Sequence, residues 1–204
     1  MVLIRRDLVG RFTWILLFVS MTAPCIWLGY MGYSNQLGAD PAKELVDALG
    51  QWAIRLLILT LCASTFSKRL HFRVLLQHRR MVGLFALFYA LLHLMAVATF
   101  ILGWRVDLLV RELTDRPYIM LGMAALLLLI PLGITSTKEW QRKLGRRWST
   151  LHKLIYPATL LALLHLVLLI RASILEALVY SFLISVLLIE RLFRKRKPKK
   201  ERVN

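Results

Sequence analysis

Histidine has the widest chemical reach of any residue type in this chain, and there are five: His71, His78, His93, His152 and His165. His152 and His165 share one apolar run, Trp148 to Arg171, that is long enough to cross a bilayer. An imidazole inside a membrane has to be compensated, which makes it a functional-site candidate by default. The chemistry that suits it best is metal ligation. Two imidazoles at one depth on different helices supply both axial ligands of a haem. The thirteen residues from His152 to His165 correspond to roughly 20 Å of helix, so the two lie toward opposite membrane faces. The competing reading is a histidine that only hydrogen-bonds a neighbouring helix. Choosing between them requires the spans and their orientation.

Composition supports spans. The chain has 204 residues, 58% of them hydrophobic, and a net charge of +17; its mean hydropathy is +0.63. Segments of spanning length fall at about 12–32, 49–67, 81–103, 117–135, 150–170 and 173–192, the second interrupted by Arg55. Cations gather in alternate connections. Arg5, Arg6 and Arg11 lead in; Lys68, Arg69, Arg73, Arg79 and Arg80 follow the second span; Lys138, Arg142, Lys143, Arg146 and Arg147 follow the fourth. The other connections are balanced, with Lys43 among Asp40, Glu44 and Asp47, and Arg105, Arg111 and Arg116 alternating with Asp107, Glu112 and Asp115. The positive-inside rule then puts both termini in the cytoplasm. The expected fold is an all-α polytopic membrane bundle of six transmembrane helices, with residues 1–192 as the membrane domain and 193–204 as a basic cytoplasmic tail that meets lipid headgroups. Nucleic acid is not an expected partner, because the basic residues punctuate apolar runs instead of lining one face. Cys25 and Cys62 lie inside apolar runs and read as buried thiols, and no cleavable signal peptide is expected. Trp27, Tyr30, Tyr33, Trp104, Tyr118 and Trp148 mark span edges, as interfacial aromatics do.

Orientation gives depth. The third span runs outward from about Met81, which puts His93 roughly 18 Å in; the fifth runs outward from about Thr150, which puts His165 roughly 22 Å in. The pair therefore shares a level in the outer half, as axial haem ligation requires. His152 lies near the inner surface, level with the stretch from Gln77 to Arg80. His78 is a candidate partner for it across a second haem, and Arg79 or Arg80 alternatively sit over haem propionates. On an ideal helix, thirteen steps leave His152 and His165 about 140° apart in azimuth. Pro157 between them removes the bond to the Lys153 carbonyl and permits local rewinding that brings both to one face. His71, in a basic loop, reads as solvated. The spans are almost free of Asp and Glu, which argues against a proton-coupled transporter.

LGADP (Leu37 to Pro41), LHL around His93, TDRPYIMLG (Thr114 to Gly122) and TSTKEWQRKLGRRWSTLHKLIY (Thr135 to Tyr156) followed by His165 resemble the haem-binding membrane subunits of bacterial periplasmic protein-methionine-sulfoxide reductase systems, the MsrQ (YedZ) family. That family belongs to the ferric-reductase-like transmembrane group. The resemblance implies a six-span cytochrome of the inner membrane with one or two b haems and FMN. It implies electrons from the quinone pool or a cytosolic flavin reductase, and a periplasmic molybdopterin-containing methionine-sulfoxide reductase as acceptor. Position by position it carries over His93, His152 and His165 as haem histidines and Arg79 with Arg80 as the arginine pair before the third span; His78 enters from its depth alone. The rival expectation is a membrane ferric or cupric reductase, disfavoured because no fused nucleotide-binding domain is expected in 204 residues. A non-redox small transporter or assembly protein is the more distant alternative.

Overall fold

The computed structural model describes residues 2–69, 73–169 and 174–195. His71, Arg171 and the tail beyond Lys195 lie outside them. Nine α-helices make up the described chain: α1 (Val2–Tyr33), α2 (Pro41–Arg69), α3 (Arg73–Ala96), α4 (Val106–Asp115), α5 (Pro117–Ile134), α6 (Lys138–Leu144), α7 (Arg146–Leu151), α8 (Ile155–Leu169) and α9 (Ile174–Lys195). Stretches at Gly10–Tyr33, Pro41–Ala63, His78–Ile101, Pro117–Ile134 and Arg146–Leu169 are long and apolar enough to cross a membrane. The protein is a multi-pass helical membrane bundle. α9 has spanning length, but its described residues carry Glu176 near the start and Glu190 with Arg191 near the end.

Two helical hairpins form the centre. α2 packs on α3 and α5 packs on α8, and the hairpins meet through α3 against α5 and α2 against α8. Val46 faces His93 while Thr60 lies under Gly83, so α2 and α3 run antiparallel. Tyr118 faces His165 and Thr135 faces His152, so α5 and α8 do too. Lipid tails are as apolar as leucine, so such helices associate by close packing and not by hiding hydrophobic surface. Small residues accordingly sit at the contacts: Ala63, Ala86 and Ala158 are fully buried. The α1 and α9 faces present exposed apolar side chains such as Phe12, Trp14, Leu178 and Phe182, as lipid-facing helices should. Tyr89 is the largest wholly buried side chain, and its hydroxyl donates to the Met21 carbonyl at 2.7 Å, tying α3 to α1.

Three local outcomes differ from the sequence expectations or extend them. α2 begins at Pro41, eight residues before the expected span, and runs on through Arg55, which is compensated within it. Its Nε donates to Tyr180 Oη at 2.8 Å and its Nη2 to Gln51 Oε1 at 3.0 Å, Glu176 Oε1 is 3.9 Å away, and the guanidinium lies over Trp52. The balanced connection after the third span, read as loop, contains α4. Its apolar Val106, Leu109 and Val110 alternate with charges in the pattern of a helix lying along a membrane surface. The fifth span is not one continuous α-helix. A 3-10 turn at His152–Leu154 joins α7 to α8, immediately before Pro157, where rewinding was expected. Thr137 caps α6, its hydroxyl accepting from the Trp140 amide at 3.3 Å.

Candidate functional site

His93 and His165 meet between the hairpins. Their ring centroids are 6.2 Å apart and the ring planes are inclined by 80°. Each ring is held in the same way. His93 Nδ1 lies 2.9 Å from the Val46 carbonyl oxygen, and His165 Nδ1 lies 2.6 Å from the Tyr118 carbonyl oxygen. A carbonyl only accepts, so in both rings Nδ1 carries the proton and donates it. The tautomer is thereby fixed, and each Nε2 is left with a lone pair.

A glycine one turn beyond each carbonyl makes room for the ring. A methyl at Gly50 would stand 3.1 Å from His93 Nδ1, and one at Gly122 would stand 2.8 Å from His165 Nδ1. Glycine inside a helix is unfavourable by roughly 1 kcal/mol relative to alanine, so its presence here needs a packing reason, and the imidazole supplies it. The spacing repeats as well. The accepting carbonyl residue and its histidine are 47 positions apart in both hairpins. Sequence reading detected no internal repeat, because what recurs is a pairing of one carbonyl, one glycine and one histidine.

The pair suits a particular kind of metal group. No cluster of three or more His, Cys, Asp or Glu side chains able to hold a metal ion exists among the described residues. Two imidazoles alone suit a metal whose equatorial positions are already filled, as a porphyrin fills them. An imidazole–metal bond is about 2 Å and a ring centre lies about 1 Å beyond its nitrogen, so two axial rings on one metal put their centroids about 6 Å apart. The observed separation matches. An angle near 80° between ring planes is compatible with two such rings turned about a common axis.

The His152 end is built differently. Thr135 Oγ1 donates to the Pro131 carbonyl at 2.6 Å and so has no proton left for His152 Nε2, which lies 3.1 Å from it. Nε2 of His152 is therefore the protonated nitrogen, the reverse of His93 and His165. The His152 ring stacks on Trp148 with centroids 4.1 Å apart, and the Arg80 guanidinium lies 5.3 Å over the same indole. Trp148 Nε1 donates to the Thr135 carbonyl at 2.8 Å, and Arg80 Nη2 donates to Gln141 Oε1. His78 is buried and its Nε2 approaches Thr13 Oγ1 on α1 at 3.5 Å. The ring stacked on His152 is that of Trp148, while His78 turns toward Thr13 on α1. Arg79 is partly buried, with Arg191 and Tyr156 as its electrostatic neighbours, and Arg191 stacks over Tyr156.

Comparison with known proteins agrees in detail with a membrane subunit of this design. Residues 49–163 match the model of the family described as "Ferric reductase like transmembrane component". Relatives named "Protein-methionine-sulfoxide reductase heme-binding subunit MsrQ" include one from Xanthomonas euvesicatoria, 43% identical over 83% of this chain and 78% of its own length. Another, from Brucella ovis, is 38% identical over 93% of this chain and 87% of its own. A third, from Brucella anthropi, is 39% identical over 89% and 81%.

The chain belongs to the MsrQ family. The family match takes in α2 from Leu49 through α8 as far as Leu163, and thus two of the four helices that seat the pair, α3 and α5, in full. His93 and His165 were singled out from the sequence, but the roles of Val46, Gly50, Tyr118 and Gly122 in seating them were not. Only the glycines left any trace there, as helix-unfavourable residues in otherwise apolar runs. Trp148, read as an edge anchor, turns out to be the stacking partner of His152.

Proposed function

We propose that this chain is a b-type cytochrome subunit of the bacterial inner membrane. It takes electrons from the quinone pool or from a cytosolic flavin reductase and passes them to a periplasmic molybdopterin-containing methionine-sulfoxide reductase, which repairs oxidised proteins. The observation that carries the reading is the His93–His165 pair, with both Nδ1 protons held by main-chain carbonyls and both Nε2 lone pairs free. The names of the MsrQ relatives supply the haem and the reductase. Haem, when bound, supplies a one-electron carrier inside a low-dielectric bundle.

Six spans with both termini in the cytoplasm, and a division into membrane domain 1–192 and basic tail 193–204, follow from the charge pattern. On that orientation the His93–His165 end is the periplasmic one, and Arg79, Arg80 and His152 face the donor side. His152 would hold a second haem through Nε2 once its hydrogen bond to Thr135 is exchanged. His78, Arg79 and Arg80 are its remaining cofactor-binding candidates, and FMN rests on the family resemblance alone. The lipid bilayer is the other partner.

The test is spectroscopic. Protein purified from cells with ample haem should show a reduced-minus-oxidised b-type spectrum, reoxidised by the periplasmic partner only when a methionine-sulfoxide substrate is present. A colourless preparation would overturn the proposal. The ferric-reductase-like family match favours one rival, reduction of ferric or cupric ions at the outer face. Reoxidation by chelated ferric ion as fast as by the partner would select it.

A further inference from the structure

The two imidazole seats are alike in carbonyl, glycine and spacing, but they differ in what lies beyond the carbonyl. At Val46 there is an aliphatic side chain. At Tyr118 there is an aromatic ring whose centroid is 6.0 Å from that of His165, so this residue touches the histidine with its side chain as well as its main chain. The phenol oxygen in turn accepts from Arg116 Nη1 at 2.9 Å. Arg116 Nε donates to Glu112 Oε2 at 2.9 Å, one turn back along the chain, so the tie ends on α4. The path from α4 to the imidazole thus runs Glu112, Arg116, Tyr118, His165 without a gap.

Its chemistry is directional. Arg116 is exposed, and its bond to the Tyr118 hydroxyl, followed by the charges of Tyr118 and Glu112, raises its pKa above the ordinary arginine value. It stays cationic under all working conditions. Pro117 starts α5 at its first position, where a proline is pre-set for a helix, so Tyr118 sits in a first turn with little freedom of its own. What remains adjustable is the Tyr118 ring and the carbonyl it shares a residue with.

We propose that Tyr118 and Arg116 are positioning residues that link α4 to the strength of the His165 Nδ1–H bond, and so set the potential at the His165 side of the pair. The inference rests on the proposed role of His93 and His165 as axial ligands. A strong Nδ1–H bond to a carbonyl makes the opposite nitrogen a better donor, and a better donor favours the oxidised metal. Loosening the clamp therefore raises the reduction potential. Removing a nearby cation without moving the ring would lower it. The two effects have opposite signs, so the experiment separates them.

The test uses the full-length protein in detergent or nanodiscs, with redox titration and the low-spin electron paramagnetic resonance signal as readouts. Tyr118→Phe keeps ring, carbonyl and charge, and loses only the hydroxyl that Arg116 holds. It should retain haem and shift the one-electron equilibrium toward the reduced form up to tenfold, or 59 mV, with an altered low-spin signal. Arg116→Gln loosens the clamp and also removes the cation, so it should lie at a lower potential than Tyr118→Phe, and Arg105→Gln is the control. Arg105 pairs with Asp107 at 2.6 Å on the same surface but has no bond to Tyr118. Unchanged potential and signal in Tyr118→Phe would overturn the inference while leaving the haem reading intact. So would an equal shift in Arg105→Gln. Absence of haem from the unaltered protein would instead overturn the haem reading itself.

Discussion

The two ends of the bundle use the same side chain in opposite ways. At one end His93 and His165 give their Nδ1 protons to main-chain carbonyls and keep Nε2 as a donor of electrons. At the other end His152 gives its Nε2 proton to a threonine hydroxyl whose own proton is already committed to Pro131. The partner oxygen decides the difference. A carbonyl of a packed helix is fixed in place, whereas a hydroxyl turns about its bond. The first end is thus locked for ligation, and the second is poised and needs one hydrogen bond to be exchanged before Nε2 can ligate. Stacking differs too. His152 rests on Trp148 beneath Arg80, while the outer rings rest on helix backbone at glycine.

The largest expected effect would break the comparison outright. His93→Ala or His165→Ala should abolish the low-spin signal of the pair, because one axial ligand is gone, while His152→Ala should leave that signal in place. If all three variants lose it equally, the ends are not distinct.

Gly122→Ala comes next. Alanine ordinarily favours a helix by about 1 kcal/mol, but overpacking a filled site costs roughly 1–3 kcal/mol, and the new methyl would stand 2.8 Å from His165 Nδ1. Packing wins, so the ring must move. The expected result is reduced haem retention or a changed low-spin signature, with Gly50→Ala milder because its contact is 3.1 Å. Equal, silent behaviour of both variants in haem titration would show that the glycines are not seats.

Thr135→Val sharpens the other end. It removes the acceptor of the His152 proton and the bond to Pro131 together, leaving Nε2 free to exchange partners. Imidazole nitrogen resonances of His152 should change, while the His93–His165 signal stays as it was. Movement of both sets would mean that the ends are coupled. The smallest effect belongs to Tyr89→Phe, between the ends. It removes one buried hydroxyl bond to Met21 and should lower stability by about 1 kcal/mol in denaturant unfolding, with the haem spectrum unaltered.

Much of this architecture was legible in the sequence. Apolar run length gave the spans, loop charge gave an orientation, and residue counting gave His93 and His165 a common depth. Pro157 pointed to a break in the fifth span, and a 3-10 turn lies there. Arg55 read as an interruption of the second span, because its hydrogen-bond partners Gln51 and Tyr180 stand one turn away and 125 residues away respectively. The azimuth of His78 was not legible either. Equal depth does not fix azimuth, and His78 faces Thr13 on α1.

The sequence by itself determined which histidines lie in the membrane and at what level, because hydropathy, charge and helical rise act locally along the chain. Only the tertiary structure decided which of them are free to ligate. Every residue has a carbonyl, so a carbonyl that selects a tautomer leaves no mark in the sequence. It acquires that role only when antiparallel packing brings Val46 and Tyr118 to the rings they hold.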